Sequence, residues 1–306
     1  MPCYKPIEGY RPRTKDSNKI VFSPYTGHPH LKVKIPCGQC IGCRLERSRQ
    51  WAIRCVHEAQ MHEENSFLTL TYNNDNLPPY GSLIKRDVQL FMKRLRKWIW
   101  SKYRKKIRYY YCGEYGPKFS RPHYHIILFG FQFKDRQLWR IDNGNKVYIS
   151  EDLAKIWGNG YTTIGDVTFE SAAYVSRYIT KKITGKAATD HYTVIDPDTG
   201  EIIAMQPEFT DMSRRSGIGK TWFKRYTKDV YPDDFVIING KKMKPPKYYT
   251  RQYEIEYPDD AKKLKTRRKQ EAFRRRDNAT EERLKTREKI QILKMTQLKR
   301  RYEHEI

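Results

Sequence analysis

Two histidines, His123 and His125, stand two residues apart in the run Pro122-His123-Tyr124-His125-Ile126-Ile127-Leu128-Phe129. In a β-strand successive side chains point to opposite faces, so this spacing sends both imidazoles to one side and Tyr124 to the other. Two neutral imidazoles on one face begin a divalent-metal site. The stretch 107–115 also reads as a strand, and the turn-forming connection Gly116-Pro117-Lys118-Phe119-Ser120-Arg121-Pro122 joins the two as an antiparallel hairpin. That pairing carries Glu114 to the histidines, and a carboxylate suits Mg²⁺ or Mn²⁺. Taken alone, the same pair also fits two half-exposed strand histidines. His28 and His30 share the spacing, but Pro29 between them cannot donate to a sheet ladder, which assigns them to a loop without a catalytic part.

Further along, Tyr174, Tyr178 and Lys181 fall at i, i+4 and i+7. On a helix these positions form one narrow stripe, so two phenols and an ammonium share a face. A phenol has an unperturbed pKa of about 10 and is a poor nucleophile until a base or a cation assists it. Lys181 is placed to assist. A single tyrosine there would read as a ring packed on a sheet with its hydroxyl wetted; the pair with lysine favours chemistry.

Three of the six cysteines, Cys37, Cys40 and Cys43, lie in the run CGQCIGC. Thiolates three residues apart in a glycine-containing knuckle converge on one ion, which points to structural zinc, although the usual second CxxC pair is missing. The fourth ligand is Cys3, Cys55 or a histidine of the pair His28 and His30, with Cys3 favoured. Three free cysteines in an ordinary turn is the competing reading, and Cys112 reads as a small buried residue.

The elements that must hold these groups follow from periodicity. Residues 43–62 favour a helix and 66–72 form a β-branched and aromatic strand; 87–105 is the strongest amphipathic helix, with Val88, Phe91, Leu95, Trp98 and Ile99 on its apolar side. The hairpin 107–131 comes next, then a short helix at 153–157 ending at Gly158, a strand at 161–167, and a helix at 171–183. The order β-α-β-β-α-β-α implies an α+β fold, a central antiparallel sheet with helices packed on one face, in ferredoxin-like or RNA-recognition-like style. The expected divisions are a cysteine-rich N-terminal arm with its helix (1–60), the core (61–189), an appended segment with a hairpin turn at Asp196-Pro197-Asp198-Thr199-Gly200 (190–257), and a basic helical or flexible tail (258–306).

The chain of 306 residues carries 61 lysines and arginines against 35 acidic residues, a formal net charge of +26, which makes a polyanion the default partner. Its last 66 residues hold 22 basic and 11 acidic side chains. No apolar run approaches the roughly 20 residues of a membrane span, and no secretory leader is evident, so a reducing cytoplasm without disulfides is expected.

Together these elements resemble the HUH endonucleases, in which two histidines flank a hydrophobic residue and the catalytic tyrosine lies on a later helix. The YxxxYxxK arrangement of Tyr174, Tyr178 and Lys181 is similar to that of two-tyrosine rolling-circle initiators. More narrowly, Pro36-Cys37-Gly38-Gln39-Cys40-Ile41-Gly42-Cys43-Arg44, Phe67 to Tyr72, Gly113-Glu114-Tyr115-Gly116, Arg121 to His125 and Ser216-Gly217-Ile218-Gly219 resemble replication initiators of gokushoviruses, small single-stranded DNA phages of the Microviridae. The likeness spans roughly residues 1–225; Tyr124 departs from the usual aliphatic residue. It implies a metal-dependent nickase and ligase acting on single-stranded and origin-containing double-stranded phage DNA in the host bacterial cytoplasm, through a 5′-phosphotyrosine link. It also implies that the strand Phe67 to Tyr72 runs beneath the active site.

Gly217-Ile218-Gly219-Lys220-Thr221 ends like a nucleotide-binding loop, but the required earlier glycine is Arg214, so no ATPase is expected and a host helicase and DNA polymerase must assist. The rivals are a non-enzymatic zinc-containing nucleic-acid-binding protein, and a relaxase or transposase of the HUH superfamily.

Overall fold

The computed structural model describes residues 3–13, 19–116, 120–142, 144–181 and 187–297; the side chains of 178–181, 187 and 297 lie outside that description. The chain divides into two compact units, one formed by Met1–Arg47 with Lys263–Lys299 and the other dominated by Ser48–Lys262.

In the first unit, β1 (Ile7–Pro12) and β2 (Gly27–Ile35) make an antiparallel ribbon. The pair His28 and His30 therefore lies in a strand and not in the loop expected from Pro29. The register jumps from Tyr10 opposite Lys32 to Pro12 opposite Gly27, so Pro29 sits in the irregular stretch, where no ladder hydrogen bond is asked of it. The knuckle follows, with Gly38 at φ 77°, a left-handed turn that glycine adopts without a Cβ clash. The basic C-terminal part is helical (Pro258–Arg274 and Glu281–Gln297), and within this unit Lys5 pairs with Glu288 at 3.4 Å while Leu264 and Leu284 are buried.

The second unit is built on a seven-stranded antiparallel sheet. Along the chain come α1 (Ile41–Ala59), whose residues from Ser48 onward belong here, β3 (Asn65–Tyr72), α2 (Lys85–Tyr103), β4 (Arg108–Tyr115), β5 (Pro122–Phe129), β6 (Gln137–Asp142), β7 (Asn145–Ile149), α3 (Glu151–Trp157), β8 (Gly160–Gly165) and α4 (Phe169–Lys181). The strands β9 (Thr193–Ile195) and β10 (Ile202–Ala204) form a separate hairpin around the expected turn, and β11 (Phe209–Met212) follows. The order across the sheet is β11-β4-β5-β3-β8-β7-β6. The α+β architecture with a central antiparallel sheet stands as expected. Two edges were not legible: β11, from a stretch whose composition suggested an appendage, closes one side on β4, and the β6–β7 hairpin extends the other.

Helices cover both faces of the sheet instead of one. On one face Leu68, Leu70, Tyr124, Ile126 and Leu128 pack against Val88, Phe91, Leu95 and Ile99 of α2 and Leu153 and Trp157 of α3. On the other, Phe67, Tyr110, Cys112, Ile127 and Phe129 meet Ala52 and Cys55 of α1 and Ala172, Tyr174 and Val175 of α4. This explains why β3 and β5 are buried at nearly every position, on both faces of the sheet, instead of alternating between buried and exposed residues.

Tyr124, between the two histidines, points into the α2 side and is fully buried. Its hydroxyl donates to the Ile84 carbonyl at 2.8 Å, accepts from the Ile84 N–H at 3.1 Å and meets the Tyr72 hydroxyl, which itself donates to Asp87. Ile84 is the residue from which α2 starts, so a phenol satisfies backbone groups that an aliphatic side chain would leave open. We expect Tyr124→Phe to destabilise the protein by about 1–3 kcal/mol in chemical denaturation, because buried polar partners lose their hydrogen bonds. A variant as stable as the parent would show that the phenol only fills space.

Candidate active site

The β4–β5 pairing sets Glu114 opposite His123 and Cys112 opposite His125. Alternation then places Glu114, His123 and His125 on the α4 face, beside Cys112 and Ile127. The Glu114 Oε1 atom lies 3.1 Å from His123 Nε2 and 2.6 Å from His125 Nε2. Glu114 is 1% and His125 3% exposed, while His123 is half-buried. Burial would raise the Glu114 carboxyl, but the adjacent His125 and His123 outweigh it and hold it down at about 2.

The expected strand beneath the site is β3. Thr69, the register partner of His125, brings its hydroxyl within 3.1 Å of His125 Nδ1, and Phe67 stacks on the His125 ring at 5.6 Å. A hydrogen bond at Nδ1 orients the imidazole and leaves Nε2 for the site. Thr69 and Phe67 were recognised only as strand residues. Their period-two spacing opposite a histidine strand was the available signal, but it needed the strand order.

Helix α4 begins with a reciprocal cap, in which the Thr168 N–H donates to the Ser171 hydroxyl at 2.8 Å and the Ser171 N–H to the Thr168 hydroxyl at 3.1 Å. Small residues, Ala172 and Ser176, face the sheet and are fully buried, which lets the helix lie close. Tyr174 thereby reaches the triad. Its ring meets His125 edge-on with centroids 5.1 Å apart, and its hydroxyl donates to Glu114 Oε1 at 3.3 Å. Tyr178 and Lys181 continue the same helix, but their side chains lie outside the described residues.

Glu114, His123 and His125 each offer a ligand atom, and these atoms lie within 4.8 Å of one another. One carboxylate oxygen and two imidazole nitrogens, facing inward on a rigid sheet, fit a divalent cation.

The first unit holds a donor set of different chemistry. Cys3, Cys37, Cys40 and Cys43 bring their sulfurs within 4.8 Å of one another, and none forms a disulfide. Cys3 lies 3.7 Å from Cys37 and 3.9 Å from Cys40, Sγ to Sγ. Four sulfurs held about 2.3 Å from a central zinc would stand about 3.8 Å apart, so the cluster has the size of a tetrahedral thiolate site. Backbone N–H groups of Tyr4, Cys37 and Cys40 donate to sulfurs at 3.3 Å. Burial raises the Cys40 thiol, yet the N–H groups of Tyr4 and Cys43 and the neighbouring thiols bring it down to about 7. Of the alternative fourth ligands, Cys55 is buried against the sheet of the other unit, and neither His28 nor His30 joins the cluster. Among the described residues no helix is long and apolar enough to cross a membrane.

A family model for the replication-associated protein ORF2/G2P matches residues 65–183, which span β3 to α4 and hence the whole triad. The chain is 34% identical over 291 residues to the replication-associated protein VP4 of Bdellovibrio phage phiMH2K, covering 90% of this chain and 87% of that protein. It is 31% identical to the replication-associated protein ORF2 of Spiroplasma virus 4, over 85% of this chain and 82% of the relative. It is also 31% identical to the replication-associated protein ORF4 of Chlamydia phage 1, over 70% of this chain and 52% of the relative. No solved structure matches it. With relatives of this identity aligned along most of its length, the chain belongs to the replication-associated proteins of small Microviridae-like phages, of the gokushovirus type.

Proposed function

We propose that this replication-associated protein is a metal-dependent, site-specific endonuclease and strand transferase that starts and ends rolling-circle replication of a single-stranded DNA phage genome. The observation that carries the reading is the convergence of Glu114, His123, His125 and the Tyr174 hydroxyl on one buried point of the sheet. Held by Glu114, His123 and His125, Mg²⁺ or Mn²⁺ would polarise the scissile phosphate and stabilise the charge that builds in its transition state.

Tyr174 or Tyr178 supplies the nucleophile. Its hydroxyl oxygen bonds to phosphorus, its proton leaves, and the bond from phosphorus to the 3′ oxygen breaks. The products are a 5′-phosphotyrosine link and a free 3′-hydroxyl that primes a host DNA polymerase. Lys181 offers a cation to the phosphate or to the departing phenolic proton's oxygen. The second tyrosine cleaves the regenerated origin while the first link is resolved by the returning 3′ end. Unwinding falls to a host helicase, consistent with the incomplete nucleotide-binding motif at Arg214.

The test is the covalent adduct. Tyr174→Phe and Tyr178→Phe should each leave single cleavage and joining of a labelled origin strand, while the double variant should bind DNA and form no denaturant-resistant complex. An adduct formed by the double variant would place the nucleophile elsewhere.

For the metal, His123→Ala and His125→Ala proteins that remain folded should lose nicking, and EDTA should abolish it in the parent. Glu114→Ala should weaken the ion's affinity at least about tenfold, read by calorimetric titration. Full activity in EDTA would remove the ion from the mechanism.

For Cys3, Cys37, Cys40 and Cys43, the reading is structural zinc. Elemental analysis of purified protein should find one zinc that survives dialysis, and Cys3→Ser should release it. Retention by that variant would exclude Cys3 as the fourth ligand.

A further inference from the structure

A cavity of about 340 Å³ adjoins the triad and lies between β3, β8 and the β6–β7 hairpin. It shares three residues with the site, His125 and the Thr69 and Phe67 that hold it, so it begins one side chain away from Glu114. The hairpin contributes its remaining wall, including Arg136, Arg140, Lys146 and Tyr148. Three cations thus face one carboxylate, Asp166. Arg136 Nη1 and Arg140 Nε are buried and have no hydrogen-bond acceptor among the described residues. Buried guanidinium donors call for an anion, and the planar fork of arginine matches phosphate oxygens. The Arg136 guanidinium carbon lies 4.6 Å from the Tyr148 ring centroid, a stacking contact that fixes its position at the cavity wall. The volume is at the small end of ligand sites, which run from about 300 to 1,000 Å³, and suits one nucleotide but not a duplex.

We propose that this cavity receives one nucleotide of the substrate strand next to the scissile phosphate, its phosphate held by Arg136 and Arg140. The assignment rests on the strand-cleaving reading above and adds to it the group that sets where along the strand the reacting phosphate lies. Arg136 and Arg140 are positioning residues, acting on the neighbouring phosphate and not on the reacting one.

The experiment measures binding of the full-length protein to single-stranded oligonucleotides from the replication origin, by fluorescence anisotropy in EDTA, with one neutral methylphosphonate moved along the strand. The parent should lose about tenfold in affinity at one position beside the cleavage site. The Arg136→Ala/Arg140→Ala variant should bind about tenfold more weakly overall and be indifferent to that position. Arg140→Lys, which keeps the charge and the volume, guards against misfolding and should blunt the same positional loss. An unchanged positional profile in either variant would overturn the proposal. So would thymidine 5′-monophosphate competing as tightly as the strand, which would make the cavity a site for free nucleotides. A positional profile without any covalent adduct would sink the cleavage reading and leave the cavity standing, whereas an adduct without the profile would do the reverse.

Discussion

Taking a carboxylate out of water costs several kcal/mol unless donors or cations meet it, and Glu114 is all but sealed from solvent by helices on both faces of the sheet. Its partners are His123 and His125 from the neighbouring strand and Tyr174 from α4, all converging on the same oxygen. That requirement selects one register. A slip of one residue between β4 and β5 would turn the imidazoles toward α2 and drive Tyr124 into the α4 side. It also sets the approach of α4, whose alanines and serine allow Tyr174 to come near enough for its hydroxyl to reach the carboxylate. The groups that satisfy the buried charge are also the ones that could hold a divalent cation, and Thr69 and Phe67 fix the orientation of His125 among them.

Most of this arrangement was legible in the sequence, for definite reasons. The hairpin carrying Glu114, His123 and His125 is local, its strands are strongly patterned and its connection is rich in turn formers, so pairing followed from chain proximity. The helix α2 announced itself by its apolar stripe, and α4 by its boundary signals and the i, i+4, i+7 spacing of Tyr174, Tyr178 and Lys181. What escaped was non-local. The contact of Thr69 with His125 depends on β3 lying next to β5, although β4 is β5's neighbour in the chain. The two-sided cover of the sheet depends on α1 packing opposite α2, and periodicity alone does not say which face a helix takes. β11 is four residues long and acquires its conformation from β4. The β6–β7 hairpin has weak alternation, with Leu138 and Ile141 exposed, and so offers no strand pattern to read.

The aromatic content had an opposite lesson. Twenty-three tyrosines in a basic chain suit stacking on nucleotide bases. In the structure, however, Tyr72, Tyr110, Tyr111, Tyr124 and Tyr249 are wholly buried and belong to the core. Arg54 lies 4.0 Å from the ring centroids of both Trp51 and Tyr248, and His57 stacks on Trp222 at 3.4 Å with Tyr249 beside both rings. Burial lowers the His57 pKa to about 3, so that imidazole is a neutral packing element that also hydrogen-bonds the Tyr249 hydroxyl. These layers join α1 to the segment 218–257 and leave few of those rings for a ligand.

The two donor sets differ in the direction that their ligand atoms demand. Four sulfurs at the separation of a tetrahedral site would close the shell of an ion they held, with no position left for a substrate, and they bring a terminal segment beside a knuckle more than 30 residues away. The triad offers only three ligand atoms from one face of a sheet, so an ion held there would keep coordination positions for water or a phosphate oxygen. A soft, closed site suits holding the fold, and a hard, open one suits chemistry on phosphate. On the proposed reading, the positive charge of the chain has a specific use at short range: an open site that must hold a polyanion in one register needs cations beside it, and Arg136, Arg140 and Lys146 line the neighbouring cavity.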